Sequence, residues 1–235
     1  MIEIRRGRGP RAIRLRQVTD ANGSDLRVSE AELAMPTERR LVLAAERLFA
    51  ERGIDGVSLR AVMAAAGTNV ASVHYHFGSK EALVEVLIRQ RSDEVAARRT
   101  ALLDEMEQTG PVTVRQLAEA FARPVWEMAI GDGAAWVKFI AGVVGSGHPA
   151  LSLVAEGFTE QAVRFMALLT AAVPELPGPT ARFRLAQAMT LTFQVLGDVH
   201  RTQDLMAISG LRLSPDQVYA ELVDVVTAML SGPPA

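Results

Sequence analysis

Cysteine is absent from the 235 residues, which excludes disulfides, thiolate zinc sites, iron–sulfur clusters and cysteine nucleophiles together. No stretch reaches the roughly 18 uninterrupted apolar residues that a membrane-spanning helix needs. The N-terminal arginines precede no apolar segment of the kind a secretory signal carries, so a soluble, cytoplasmic protein with no membrane partner is expected. No β-branched run alternates between turn signals, and no internal repeat suggests a solenoid. Metal-ligand spacing is missing too: there is no His-Glu-x-x-His, and His74 and His76 stand two apart, which points them in different directions on a helix. Gly142, Gly145 and Gly147 follow a helical stretch rather than a strand, and Ser146 lacks nucleophile-elbow spacing. No metal, cofactor or catalytic residue is therefore expected. What is present is a 49% apolar fraction, enough for a sizeable core, so disorder of the whole chain is excluded.

The formal net charge of −2 conceals an asymmetry. Residues 1–91 hold fifteen Lys and Arg against eleven Asp and Glu, while the remainder holds ten against sixteen. A polyanion would therefore meet the N-terminal part. Residues 1–34 mix Arg5, Arg6, Arg8, Arg11, Arg14 and Arg16 with glycines and show no sustained periodicity, the pattern of a disordered basic arm. Two readings fit it: a tail touching phosphates or a minor groove, or a solvated extension upstream of Met35.

Periodicity begins at Pro36. Leu41, Ala44, Ala45, Leu48 and Phe49 fall on one helical face, and Gly53 stops the helix in a position to form a Schellman ending, with Ile54 folded back on Phe49. Ser58 is placed to cap a second helix between the staple residues Val57 and Val62, and Gly67 closes it after about two turns. Thr68 or Asn69 opens a third short helix ending near Phe77, and Ser79 caps a long fourth running to about Met106. Two short helices joined by a tight turn, leaning on longer neighbours, form a helix-turn-helix. With Val73 and Phe77 anchoring its second helix, Val70, Ala71, Ser72, His74, Tyr75 and His76 are left on other faces, where they can enter a major groove. Lys80 adds a phosphate contact beside a helix N-terminus.

The run Ala66-Gly67-Thr68-Asn69-Val70-Ala71-Ser72-Val73-His74-Tyr75-His76-Phe77-Gly78-Ser79-Lys80-Glu81-Ala82-Leu83 resembles the signature of the tetracycline-repressor (TetR) family. It is preceded at the right distance by Leu48-Phe49-Ala50-Glu51-Arg52-Gly53 and by Val57-Ser58-Leu59-Arg60, so the resemblance covers roughly residues 36–90. It implies that Ser58 touches a phosphate, Arg60 a base or a phosphate, and Lys80 a phosphate. It further implies that Val70 to Ser72 read bases and that His74, Tyr75 and His76 make mixed contacts; Asn69, at the start of this helix, is a further DNA-binding candidate. Many members carry tyrosine where His74 stands; here Tyr75 follows it, and the contact of each is open.

Downstream, breaks at Gly110-Pro111, Gly131–Gly133, Gly145–Pro149, Pro174–Pro179 and Gly210–Pro215 separate five further helices, with Pro124 expected to kink or split one of them. An all-α fold follows: an N-terminal three-helix DNA-binding domain over residues 35–82 and a C-terminal helical bundle over 83–235, linked by the helix 79–106. Phe121, Trp126, Trp136, Phe139, Phe158, Phe165, Met166 and Phe193 recur at helical spacing and suit either ordinary core or a cavity for an apolar small-molecule effector. Arg123, His148 and His200 are candidate polar anchors. The last two helices, near 180–207 and 215–230, resemble the family's dimer-forming pair. Ala186 and Thr190 on one, with Val218, Leu222, Val225, Val226 and Met229 on the other, supply either a homodimer seam or packing within one subunit. The expected function is a ligand-responsive repressor that binds a palindromic double-stranded DNA operator as a dimer. An architectural or protein-binding helical module, and more remotely an enzyme, are the alternatives.

Overall fold

The computed structural model describes residues 30–68 and 76–232. Among them there are helices and no strand: α1 Glu30–Leu33, α2 Thr37–Arg52, α3 Leu59–Ala65, α4 Lys80–Thr109, α5 Val114–Ala129, α6 Ala134–Ser146, α7 Leu151–Ala172, α8 Gly178–Leu196, α9 Val199–Ile208 and α10 Pro215–Ser231. The third short helix expected after Asn69 lies outside the described residues.

Local chemistry explains most of these ends. Ser58 Oγ accepts from the Ala61 amide and Ser79 Oγ from the Ala82 amide, so each hydroxyl answers one of the four amides a helix start leaves unpaired. Thr113 with Gln116 and Ser214 with Gln217 form reciprocal capping boxes at the heads of α5 and α10. The first helix of the N-terminal part buries Leu41, Ala44, Ala45, Leu48 and Phe49, the face its spacing marks.

Five details differ from the sequence reading. The end of the arm is not without structure: α1 forms, and Glu32 ion-pairs with Arg47 of α2. Gly53 ends α2 without a Schellman motif, because at φ 68° and ψ 167° the chain leaves the helix extended and Gly53 N donates to Phe49 O in an ordinary i to i−4 bond. The helix α4 runs one turn past Met106, since nothing stops it before Gly110. Pro124 sits inside α5 without splitting it. Finally, six helices follow α4 rather than five, because the expected helix 180–207 breaks at Gly197 and Asp198, whose side chain accepts from the Arg201 amide and starts α9.

The helices share one core. A single cluster of buried side chains runs from Leu41 in α2 to Leu230 in α10. The long α4 packs on α5 and α7, α6 lies between α2 and α8, and α10 closes on α5 and α8. The N-terminal helices are thus fastened to the bundle through apolar contact, for example Phe49 on Phe139 with ring centroids 5.7 Å apart.

Gly197 shows how tight this packing is. A Cβ there would sit 2.5 Å from Ala141 Cβ and 2.6 Å from Phe193 O, both closer than real contacts allow. Gly197→Ala is therefore expected to destabilise the fold by about 1–3 kcal/mol through overpacking at the α6–α8 crossing. Urea denaturation checks this; an unchanged midpoint would mean that the crossing has room to spare.

Candidate nucleic-acid interface and effector cavity

The start of α3 is built from a cap and a clasp. Val57 and Val62 are buried, Ser58 is exposed while its hydroxyl caps the helix, and Arg60 projects from an exposed position. The turn after Ala65 is closed by Thr68, whose amide donates to Met63 O at 3.0 Å. Asn69, Val70, Ala71, Ser72, His74 and Tyr75 lie outside the described residues. On the far side of that segment His76 is exposed and Phe77 half-buried against the core, with ring centroids 6.1 Å apart. Lys80 opens α4 from a half-buried position. The neighbouring Glu81 carboxyl is held below its ordinary value by its own backbone amide and by the Ser79 hydroxyl. Part of the amide potential at this N-terminus is therefore already answered by Glu81.

A buried ionic hub ties this region to the bundle. Arg91 of α4 is 4% exposed, and Glu46 of α2 1%. Arg91 Nε donates to Glu46 at 3.4 Å, Nη1 to Glu94 at 3.0 Å, and Nη2 to Asp132 at 3.3 Å. Burial alone would lower the Arg91 pKa, but Glu46 and the bonds to Glu94 and Asp132 leave it raised. Burial pushes the Glu46 carboxyl above its ordinary value, and Arg91 only partly draws it back. Trp136 Nε1 adds a second tie, donating to Leu87 O of α4 at 2.9 Å.

Behind the hub, two spaces open between helices. An inner cavity of about 30 Å³ is walled by Arg99, Trp136, Val154, Phe158, Met189 and Phe193. An open groove of about 530 Å³ lies between α7 and α8, lined by apolar residues that include Phe158, Ala162, Met166, Leu185 and Met189. Of the sequence-derived pocket residues, Trp136, Phe158, Met166 and Phe193 line one space or the other. Phe121 and Phe165 are buried core, in edge-on contact with each other, and Trp126 stacks on Tyr219 of α10. Phe139 packs on Phe49 at the α2 boundary. The suggested polar anchors stand elsewhere: Arg123 beside Glu119, His148 at the turn before α7, His200 exposed beside Gln203. Sequence reasoning missed Arg99, yet it had a signal, because Arg99 occupies the same apolar stripe of α4 as Val95, Leu102 and Leu103.

The proposed dimer residues also divide. Val218, Leu222 and Val226 are buried within their own subunit and have no surface for a partner, whereas Ala186 and Val225 are exposed and Thr190 and Met229 partly so. Phe183, 66% exposed, lies one turn before Ala186 on α8 and was not anticipated.

Two family models match the chain: bacterial regulatory proteins of the tetR family over residues 41–87, and the tetracyclin repressor-like C-terminal domain over residues 119–229. The chain belongs to the tetR family. Among curated members, it is 34% identical over 65 residues to the HTH-type transcriptional regulator UidR of Escherichia coli strain K12, covering 28% of this chain and 33% of that one. It is also 34% identical over 73 residues to the HTH-type transcriptional repressor KstR2 of Mycolicibacterium smegmatis, covering 30% and 36%. The matches thus span only about a third of these tetR-family relatives. Two solved structures share the fold: a TetR-family transcriptional regulator of Streptomyces coelicolor, with TM-score 0.57, 18% identity and 87% and 96% of the two chains covered, and the ketosteroid transcriptional regulator KstR2 of Mycobacterium tuberculosis, with TM-score 0.54, 19% identity and 82% and 94% covered.

Because the folded-state value of Glu46 lies above its unfolded value near 4.5, folding takes up proton at this carboxyl. The stability it contributes is fully present below the unfolded value and lost as pH rises through the folded one. Wild type should therefore lose stability relative to Glu46→Gln as pH climbs from about 4.5 towards neutrality, measured by denaturant melts across that range. Arg91→Ala strands the Glu46 charge and is expected to cost about 3–5 kcal/mol in the same assay at neutral pH.

Proposed function

We propose that this protein is a sequence-specific, DNA-binding transcriptional regulator of the cytoplasm, acting as a dimer on a palindromic operator and released or modulated by a small ligand. The observation that carries the reading is the placement of two cations: exposed Arg60 on a capped α3 and Lys80 at the head of α4, on either side in sequence of residues 69–75 and both on helices rooted in the shared core. Cations held on rigid helices fix register on a duplex, because phosphate contacts position a protein while base edges specify the sequence. The excess of basic residues before residue 92 and of acidic residues after it supports the same orientation.

A second copy would pair through the exposed part of α8 and α10, namely Phe183, Ala186, Thr190 and Val225, setting two recognition segments about 34–36 Å apart, one DNA turn, or a multiple of it. Ala186 also lines the apolar groove, so a partner seated there would roof it.

Gel-shift titration of the full chain against DNA from upstream of its own gene, repeated at rising salt, tests the reading. Arg60→Ala and Lys80→Ala should each weaken binding; if the lost contact is to phosphate, the log–log salt slope should fall by about one unit. Affinity unchanged in both variants, or binding with no sequence preference, would rule the regulator reading out and favour an architectural role.

A further inference from the structure

We infer that the effector is an amphipathic monocarboxylate, its head group bound by the Arg99 guanidinium in the inner cavity and its apolar body lying in the groove between α7 and α8. This deepens, and rests on, the reading of the chain as a ligand-responsive regulator.

The argument starts from two arginines on one helix. Arg91 and Arg99 stand eight residues apart on α4 and are equally buried, at 4% exposure. Arg91 has three carboxylates around it. Arg99 has none among the described residues: its Nε and Nη2 both donate to the neutral Phe121 O, at 3.2 and 3.0 Å, and its guanidinium lies over the rings of Phe121 and Phe158, 4.4 and 5.2 Å from their centroids. A carbonyl and two ring faces orient the cation without neutralising it. Burial accordingly pushes its pKa down to about 9. A buried charge without an opposite charge is costly to retain, and the fold retains one at the wall of a cavity.

The cavity defines the missing partner. At about 30 Å³ it has room for one small head group, and among the described residues Arg99 is the only charged side chain lining it. One cation calls for one negative charge: a dianionic phosphate would leave surplus charge among Trp136, Val154 and Phe193, and a neutral lipid would leave Arg99 unanswered. Phe158 and Met189 line both the cavity and the groove and so form the partition between them. Rotation of these two side chains, one of them an unbranched and adaptable methionine, joins the two spaces. The groove beyond is apolar apart from Thr159 and Arg182, which suits a hydrocarbon body and not a sugar or a peptide. A carboxylate at Arg99 acts directly on α4, the helix that begins with Lys80, and meets Trp136, which already bonds to Leu87 O.

The full chain, without DNA, is titrated with decanoate, decan-1-ol and decyl phosphate, followed by calorimetry and by tryptophan fluorescence. Decanoate should bind about tenfold or more tighter than the alcohol, and tighter than the phosphate. Arg99→Met should abolish that preference, weakening decanoate by about tenfold while leaving decan-1-ol within about twofold. Met189→Trp, which fills the passage, should weaken both. Failure of decanoate to bind, equal affinity for acid and alcohol, stronger binding of the phosphate, or a preference that survives Arg99→Met overturns the inference. The comparison of probes on the unaltered protein decides the matter even if Arg99→Met fails to fold. Since the assay contains no DNA, its outcome is separate from that of the gel shift, which alone judges the regulator reading.

Discussion

The pairing of Arg91 with Glu46, both almost wholly withdrawn from water, is the constraint around which the molecule is organised. Taking two charges out of water costs more than their attraction returns unless geometry and further hydrogen bonds compensate, and a pair of apolar residues of similar volume often does as well. What the ions add is direction. A leucine pair would tolerate sliding and rotation of α2 on α4, whereas a guanidinium aimed at one carboxylate does not. Glu94 comes from the same helix as Arg91 and holds its fork in position; Asp132 comes from the turn between α5 and α6 and brings the bundle to the same point. Three parts of the chain distant in sequence thus meet on one side chain.

That convergence matters because the two halves of the chain are not packed as separate bodies. Phe49 on Phe139 and the bond from Arg91 to Glu46 carry apolar and polar contact across the boundary at which the sequence suggests a domain division. Trp136 is at once a wall of the inner cavity and a donor to the helix that starts at Lys80. A group occupying the cavity therefore acts on α4 from two sides, through Arg99 and through Trp136, and any preference of that group for one position of α4 is felt at its head. By linkage, DNA held at that head would alter the cavity's affinity by the same factor.

Much of this was legible in the residues. The capping serines Ser58 and Ser79, the stripe from Leu41 to Phe49 and the glycine breaks are local signals, and local signals place helices. What escaped depended on contacts between distant segments. The break after Leu196 was the exception, a local signal passed over: Asp198 leaves the helical conformation and caps α9 by accepting from the Arg201 amide. Pro124 was expected to kink or split its helix; α5 is not split and continues through it, with Pro124 buried in the core. For Val218, Leu222 and Val226 the sequence left open a partner or their own subunit, because an amphipathic stripe does not say which surface covers it; in the structure they are buried within one subunit, in a helix that packs on α5 and α8. Among the aromatics, period alone did not separate Phe158, at the edge of a cavity, from Phe165, one of its buried neighbours. Arg99 was the reverse case, a charge in an apolar stripe that pattern reading passed over although it contradicts the pattern.

The unequal strength of the contacts at Arg91 sets which seam of the molecule gives first. Asp132 is 78% exposed and Glu46 almost wholly buried, although both meet Arg91 at similar distances, 3.3 and 3.5 Å against 3.4 Å. A pair of which one member stands in water contributes little, with exposed pairs worth about 0–1 kcal/mol. Removing Arg91 from Glu46 instead strands a carboxylate that water does not reach, at about 3–5 kcal/mol. Coupling between two binding sites is typically about 1–3 kcal/mol. A displacement driven on that scale parts Arg91 from Asp132 long before it parts Arg91 from Glu46. At this side chain the seam between α2 and α4 is therefore the costlier of the two to open, and the tie to the corner joining α5 to α6 the cheaper.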